Sequence, residues 1–228
     1  MRNGQEQVDE YLSEKEQIQV FREWWRDNGS YVIAGLILGV GLLVGWKYWQ
    51  AYREARAEAA STLYTALLEA VENQRRDDAF EGSDLLIAEY GDTPYATQAA
   101  LAMARLHMES QEPTDAADQL RWALDNTSDR ELAHIARLRL ARVLLDQGNT
   151  GDARRLVEGI DGGEFAPRYH EVLGDTYAAS GDDAAARKEY GLALANAAVG
   201  TGVIDRNFVQ MKLDSIVETA PPVEGEEE

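Results

Sequence analysis

The chain lacks cysteine altogether and has only three histidines, five prolines and four lysines in its 228 residues. Without cysteine there can be no disulfide, thiol nucleophile, iron–sulfur cluster or thiolate zinc site. His107, His134 and His170 stand in no HExxH-type spacing, so no histidine metal centre is expected. Positive charge is scarce as well: 41 acidic against 22 basic side chains give a net charge of −19. Such a surface repels phosphate backbones, which argues against nucleic acid as a partner and favours basic ones. There is no GxGxxG, no P-loop and no GxSxG. The acid pairs Asp77–Asp78 and Asp182–Asp183 fall at turns, where capping accounts for them. The expectation is a protein with no catalytic residue, no metal and no cofactor. Strand alternation is missing too, and helix formers dominate between Gly and Pro punctuation such as Gly91–Pro94 and Gly148–Gly151.

What stands out against these absences is one uncharged run, Tyr31 to Trp46, of 16 residues. As a helix it reaches only ~24 Å, short of a ~30 Å hydrocarbon core. Gly29 and Ser30 extend it at one end, and Lys47 can snorkel at the other. Trp24, Trp25 and Tyr31 bracket it before, and Trp46, Tyr48 and Trp49 after, as in an aromatic belt at headgroup level. A cleaved signal fits poorly, because the preceding 30 residues carry seven acids and four bases. The run reads as a permanent single-pass anchor at residues 29–49. Gly35 with Gly39, and Gly41 with Gly45, form two GxxxG pairs, the spacing that lets another membrane helix approach closely. Lys15, Arg22 and Arg26 before the run balance Lys47, Arg53 and Arg56 after it, so charge leaves the orientation open.

Residues 1–13 read as a mobile tail, followed by an interfacial amphipathic helix with Ile18, Phe21 and Trp24 or Trp25 on one side, stopped by Asn28–Gly29. Together these form a tail of residues 1–28. Residues 50–217 contain repeats. Leu173, Gly174, Tyr177, Gly181, Ala186, Tyr190 and Ala193 match the tetratricopeptide spacing. The same positions recur 33 residues earlier as Leu140, Ala141, Leu144, Gly148, Ala153, Val157 and Ile160. A further unit lies at Met103, Ala104, His107, Gln111, Ala116, Leu120 and Ala123, and a weak one starts at Tyr64 and Leu67. Small residues at Gly174 and Ala186 admit a close antiparallel helix, while Tyr177 and Tyr190 fill grooves to the next pair. His107 and His170 take core positions of the repeat, and His134 reads as exposed. A last helix caps the stack with Phe208, Met211 and Ile216 inward, and residues 218–228 read as a disordered acidic tail. The fold class is all-α: one transmembrane helix followed by a tetratricopeptide-like α-solenoid, an architecture that binds extended protein segments.

With these residues in place, the chain resembles the YfgM family of ancillary SecYEG translocon subunits. The similarity is most specific at "ILGVGLLVGWKYW" (Ile37 to Trp49), with "FREWWRDNG" (Phe21 to Gly29), the repeats and "QMKLDSI" (Gln210 to Ile216). The acidic extension and the arginine bias depart from it. The resemblance implies an inner-membrane protein with a cytosolic N-terminus and a periplasmic repeat domain. It implies association with the SecYEG translocon, with a PpiD-like periplasmic chaperone and with translocating polypeptides, and a contact with a cytosolic stress-response regulator. A membrane-anchored scaffold for cell-envelope assembly or division proteins is the alternative, and a membrane-bound hydrolase with an unrecognised carboxylate site a third reading.

Overall fold

A computed structural model describes the backbone of residues 3–197 and 204–216. The described residues hold nine α-helices, and the chain divides into two compact units, Met1–Ala55 and Arg56–Glu228.

Helix α1 (Asn3–Glu72) is continuous. It begins at Asn3, within the segment expected to be a mobile tail, and it passes through Asn28–Gly29, where a stop was expected. Two local contacts account for the passage. The Asn28 side chain donates to the Trp24 carbonyl one turn back, 3.1 Å away, rather than capping an end. The Trp25 indole lies over Gly29, within 3.2 Å of where a Cβ would stand, so the glycine backbone is covered. A helical glycine costs about 1 kcal/mol, but in hydrocarbon an open backbone group costs several. Asn28 to Trp46, the 19 residues between Asp27 and Lys47, span roughly 28 Å at 1.5 Å per residue. Every large apolar side chain from Ile18 to Tyr52 is exposed. This is one helix long and apolar enough to cross a membrane.

The second unit is a stack of helical pairs. Residues 56–72 of α1 pair with α2 (Arg76–Tyr90). Then come α3 (Pro94–Glu109) with α4 (Pro113–Asn126), α5 (Arg130–Asp146) with α6 (Thr150–Val157), and α7 (Ala166–Ala179) with α8 (Asp183–Asn196). The weak unit near Tyr64 and Leu67 is thus a full first pair.

Each pair turns in the same way. Gln74, Gln111, Gly148 and Gly181 all take left-handed backbone, with φ of 58°, 61°, 78° and 77°. The next residue's N–H then reaches back to close the helix: Arg75 to the Ala70 carbonyl, Glu112 to His107, Asn149 to Leu144 and Asp182 to Tyr177, at 2.8, 2.8, 2.8 and 3.0 Å. This is the Schellman bond pattern.

Packing within the pairs trades volume between two equivalent positions. Where the first helix holds Leu67, Ala104, Ala141 and Gly174, the second holds Ser83, Leu120, Val157 and Tyr190, and all eight are buried. At Gly174 the exchange reaches its limit, since a Cβ there would lie 2.6 Å from the Tyr190 ring. At Leu67 it runs the other way, with Gly82 facing the leucine, whose Cβ lies 3.6 Å from where a Gly82 Cβ would stand. Beside these pairs Ala79, Ala116, Ala153 and Ala186 are fully buried, which keeps the helices close.

The capping helix α9 (Arg206–Ser215) starts at Asp205, whose carboxylate accepts from the Phe208 N–H at 3.1 Å. The expected inward face is corrected here. Phe208 and Met211 are exposed, while Val209 and Ile216 are buried and Leu213 packs beside them. Two apolar stripes, one residue out of phase, fit this short helix, and aliphatic Val209, Leu213 and Ile216 fit the alanine-lined surface of α8. The acidic segment from Glu218 lies outside the described residues.

Candidate functional site

On α1, Phe21, Trp24 and Trp25 cluster with ring centroids 6.2 to 6.4 Å apart. After the apolar run Trp46 and Trp49 meet at 5.3 Å, and Arg53 lies 4.9 Å over the Trp49 ring. Tyr31 and Tyr48 are exposed, as the helix position of Lys47 is. Around Gly35, Gly39, Gly41 and Gly45 nothing beyond the adjoining helix backbone and chain neighbours comes within 4 Å of where a Cβ would stand. At about 100° per residue the two pairs face directions about 120° apart, with Leu38 and Leu42 between them.

In the second unit the repeat positions Leu140, Ala141, Ala153, Ala186 and Tyr190 are buried, and Leu173 and Tyr177 pack partly buried against the core. The first helices of the later pairs line a groove of three linked hollows. One, of about 300 Å³, is walled by Ile135, Leu138 and Phe165, by Arg139, Arg142 and Arg168, and by the carboxylate of Glu164. A second, of about 260 Å³, shares Arg139 and Arg142 and adds Arg105, Asp146 and the apolar Met108, Leu120 and Val143. The third, of about 540 Å³, continues from Arg142 to Phe208 and Lys212 of α9.

Helix α9 closes this end through Lys212. Its ammonium donates to Glu171 at 2.9 Å and to both oxygens of Asp175 at 2.8 and 2.9 Å. The phenol of Tyr190 donates to the same Asp175 at 2.7 Å, and burial first, then this bond, pushes the phenol far above its ordinary range. Phe208 covers the ammonium from 4.6 Å. Arg142 adds a second cation to Glu171, 3.4 Å away. Arg206 and Arg187 tie the helix to the stack by donating to the Leu194 and Ala197 carbonyls and to that of Ile216.

The histidines are held by side-chain partners. His107 bonds Glu112 at 2.7 Å and packs on Phe80; His170 bonds Glu189 at 2.8 Å. His134, expected to be exposed, is half-buried, bonded to the Tyr169 hydroxyl at 2.7 Å and stacked on Phe165. Burial first, then Arg130 and Arg137, hold its pKa below the usual histidine value. His107, Glu112 and Asp115 bring possible ligand atoms within 4.8 Å of one another. However, Arg76 donates to the same Glu112 oxygen at 2.7 Å, so a guanidinium already supplies the cation there. The hydrogen bond from His107 foremost, aided by Arg76, holds the Glu112 carboxyl below its ordinary range.

Sequence reasoning missed the arginine-lined groove and the Lys212 clasp. Arg105 and Arg142 stand at equivalent repeat positions, 37 residues apart, a signal the register could have supplied. Arg139, Arg168 and Lys212 carry no such mark and meet only in the fold.

Residues 22–218 match the tetratricopeptide repeat-like domain family. A Haemophilus influenzae protein is 29% identical over 206 residues, covering 90% of this chain and 98% of its own length. An Escherichia coli K12 protein is 31% identical over 180 residues, 79% of this chain and 86% of its own. One from Neisseria gonorrhoeae is 28% identical over 207 residues, 90% and 98% of the two chains. All three bear the name ancillary SecYEG translocon subunit. The chain therefore belongs to the tetratricopeptide repeat-like domain family and to the family of proteins named ancillary SecYEG translocon subunit.

Proposed function

We propose that this protein is a non-enzymatic, single-pass inner-membrane accessory of the SecYEG translocon. Residues 29–49 form its anchor, residues 1–28 its cytosolic segment, and residues 50–217 a periplasmic domain that hands emerging chains to a PpiD-like chaperone. The observation that carries this reading is the joining of a membrane-length exposed helix and a grooved helical stack in one chain. The names of the relatives support the translocon as the partner. Gly35, Gly39, Gly41 and Gly45 suit close packing against a neighbouring membrane helix, because nothing of the chain itself fills the space over them. The aromatic clusters at either end of the apolar run suit anchoring at the two interfaces. A regulatory contact of residues 1–28 belongs to the same reading and is supported by the resemblance alone.

The test is co-purification from solubilised membranes together with a topology reporter fused after Ile216. Recovery of SecYEG and reporter activity on the periplasmic side are expected. A cytosolic reporter, or recovery of division proteins in place of SecYEG, would remove this reading.

A further inference from the structure

In the two central hollows of the groove basic side chains outnumber acidic ones, Arg105, Arg139, Arg142 and Arg168 against Asp146 and Glu164, the reverse of the chain as a whole. Arg105, Arg139, Arg142 and Arg168 come from α3, α5 and α7 and gather along its walls. Arg105 is paired with Glu109 and Arg142 with Glu171, and Arg168 also has a partner within the chain. Arg139, which lines both central hollows, has no carboxylate within ion-pair distance among the described residues. Desolvation, followed by the like charges of Arg105, Arg142 and Arg168, weakens its hold on the proton, though an arginine keeps its charge at neutral pH. Arg139 thus feels three like charges with no carboxylate of its own beside it, a repulsion that an arriving anion would relieve. Between the guanidiniums the floor is apolar: Ile135, Leu138 and Phe165 in one hollow, Met108, Leu120 and Val143 in the other. A small anion would use the charge and leave this floor bare. A neutral apolar ligand would leave Arg139 unpaired.

We infer that the groove between α3 and α7 docks an extended polypeptide segment in which carboxylates alternate with apolar side chains, the carboxylates meeting Arg139, Arg142 and Arg168. The inference rests on the reading of the stack as a protein-binding domain and adds the chemistry of the partner. It reverses what the net charge of −19 suggests, since the partner matches the groove and not the average surface. The repeat pattern also gives the groove an end. The position that is Arg105 and Arg142 in earlier pairs is Asp175 in the last, where Lys212 already neutralises it. An acidic segment is therefore held at α5 and at the start of α7, and not beyond Asp175.

The test uses the full chain in nonionic detergent, with empty micelles as the blank. The probe is a fluorescein-labelled twelve-residue peptide in which glutamate alternates with leucine, alanine and glycine, and lysine replaces glutamate in the control peptide. Fluorescence anisotropy is expected to show binding of the acidic peptide alone, weakened by salt. Arg139→Ala with Arg142→Ala should weaken it about tenfold or more, as should Arg168→Ala alone to a lesser degree. Arg121→Ala, whose side chain pairs with Asp118 on α4, should leave it unchanged. Equal binding of the lysine peptide, or acidic binding indifferent to the Arg139 and Arg142 changes in variants that melt normally, would overturn the inference. So would binding that appears only after residues 218–228 are deleted, because the chain's own acidic end would then be the occupant. SecYEG recovery with the same variants separates the two ideas. Recovery without peptide binding sinks this inference alone, whereas failed recovery of the unaltered chain sinks the translocon reading.

Discussion

Glycine does opposite work in the two units. At Gly174 the absent side chain is filled by the chain itself, with the Tyr190 ring 2.6 Å from where a Cβ would be. At Gly35, Gly39, Gly41 and Gly45 nothing beyond the adjoining helix backbone and chain neighbours comes within 4 Å of that place. The same residue type is thus a packing device where a neighbour is present and an open surface where none is. Open space alone marks no contact, since Gly151 and Gly191 of the second unit are equally open; what sets the α1 glycines apart is their four-residue spacing on an exposed apolar helix. Gln74 and Gln111 add a third case, left-handed turns where glycine would fit and is not used.

These differences can be broken in order of size. Tyr190→Ala should have the largest effect: it empties the space beside Gly174 and removes one of the two partners of Asp175, costing about 3–5 kcal/mol by analogy with other aromatic truncations. Chemical denaturation of the repeat domain in the full chain measures it. Gly174→Ala alone should cost about 1–3 kcal/mol through overpacking. Gly174→Ala with Tyr190→Leu should recover most of that loss, because it recreates the Ala104 and Leu120 arrangement of an earlier pair. Failure of the double change to recover would break the volume-exchange account. Lys212→Met leaves the nearly buried Glu171 and the Asp175 carboxylate short of a cation, and should cost about 2 kcal/mol after allowance for partial exposure. Gln111→Gly should raise stability by about 1 kcal/mol by removing a Cβ from left-handed backbone.

His134 supplies a pH test. Its folded pKa lies below the unfolded value of about 6.5, because burial and then Arg130 and Arg137 disfavour the charged ring. The unfolded chain therefore binds the extra proton first, and stability is lost as pH falls from about 6.5 through the lower folded value. His134→Gln should flatten that part of the stability–pH curve while leaving the carboxylate-driven loss at lower pH.

The helical repeats were legible because small residues must recur where helices cross, as at Ala116, Ala153 and Ala186. The first pair was faint because its bulk is exchanged, with Leu67 in the first helix and Ser83 in the second, and because Gln74 hides a turn that Gly148 and Gly181 advertise. The inward stripe of α9 is hard to read from sequence because Phe208 and Met211 carry more apolar area than Val209 and stand at an equally helical spacing. What buries Val209 is the shape of α8, and what keeps Phe208 out is its place over Lys212. The Asn28–Gly29 stop failed for a related reason, since Trp25 supplies the cover that glycine lacks. The arginine groove could not be read from net charge, which sums over a surface the fold divides.

The central claim is that the open glycines mark the side of α1 that meets a membrane partner. At about 100° per residue Leu38 and Leu42 lie between the two glycine pairs, and Val40 and Val44 lie on the opposite side. Photo-crosslinking from each of these four positions in intact membranes tests the claim most directly. The account predicts adducts with SecYEG subunits from Leu38 and Leu42 and few from Val40 and Val44. Adducts of equal strength from both sides, or none from Leu38 and Leu42, would contradict it.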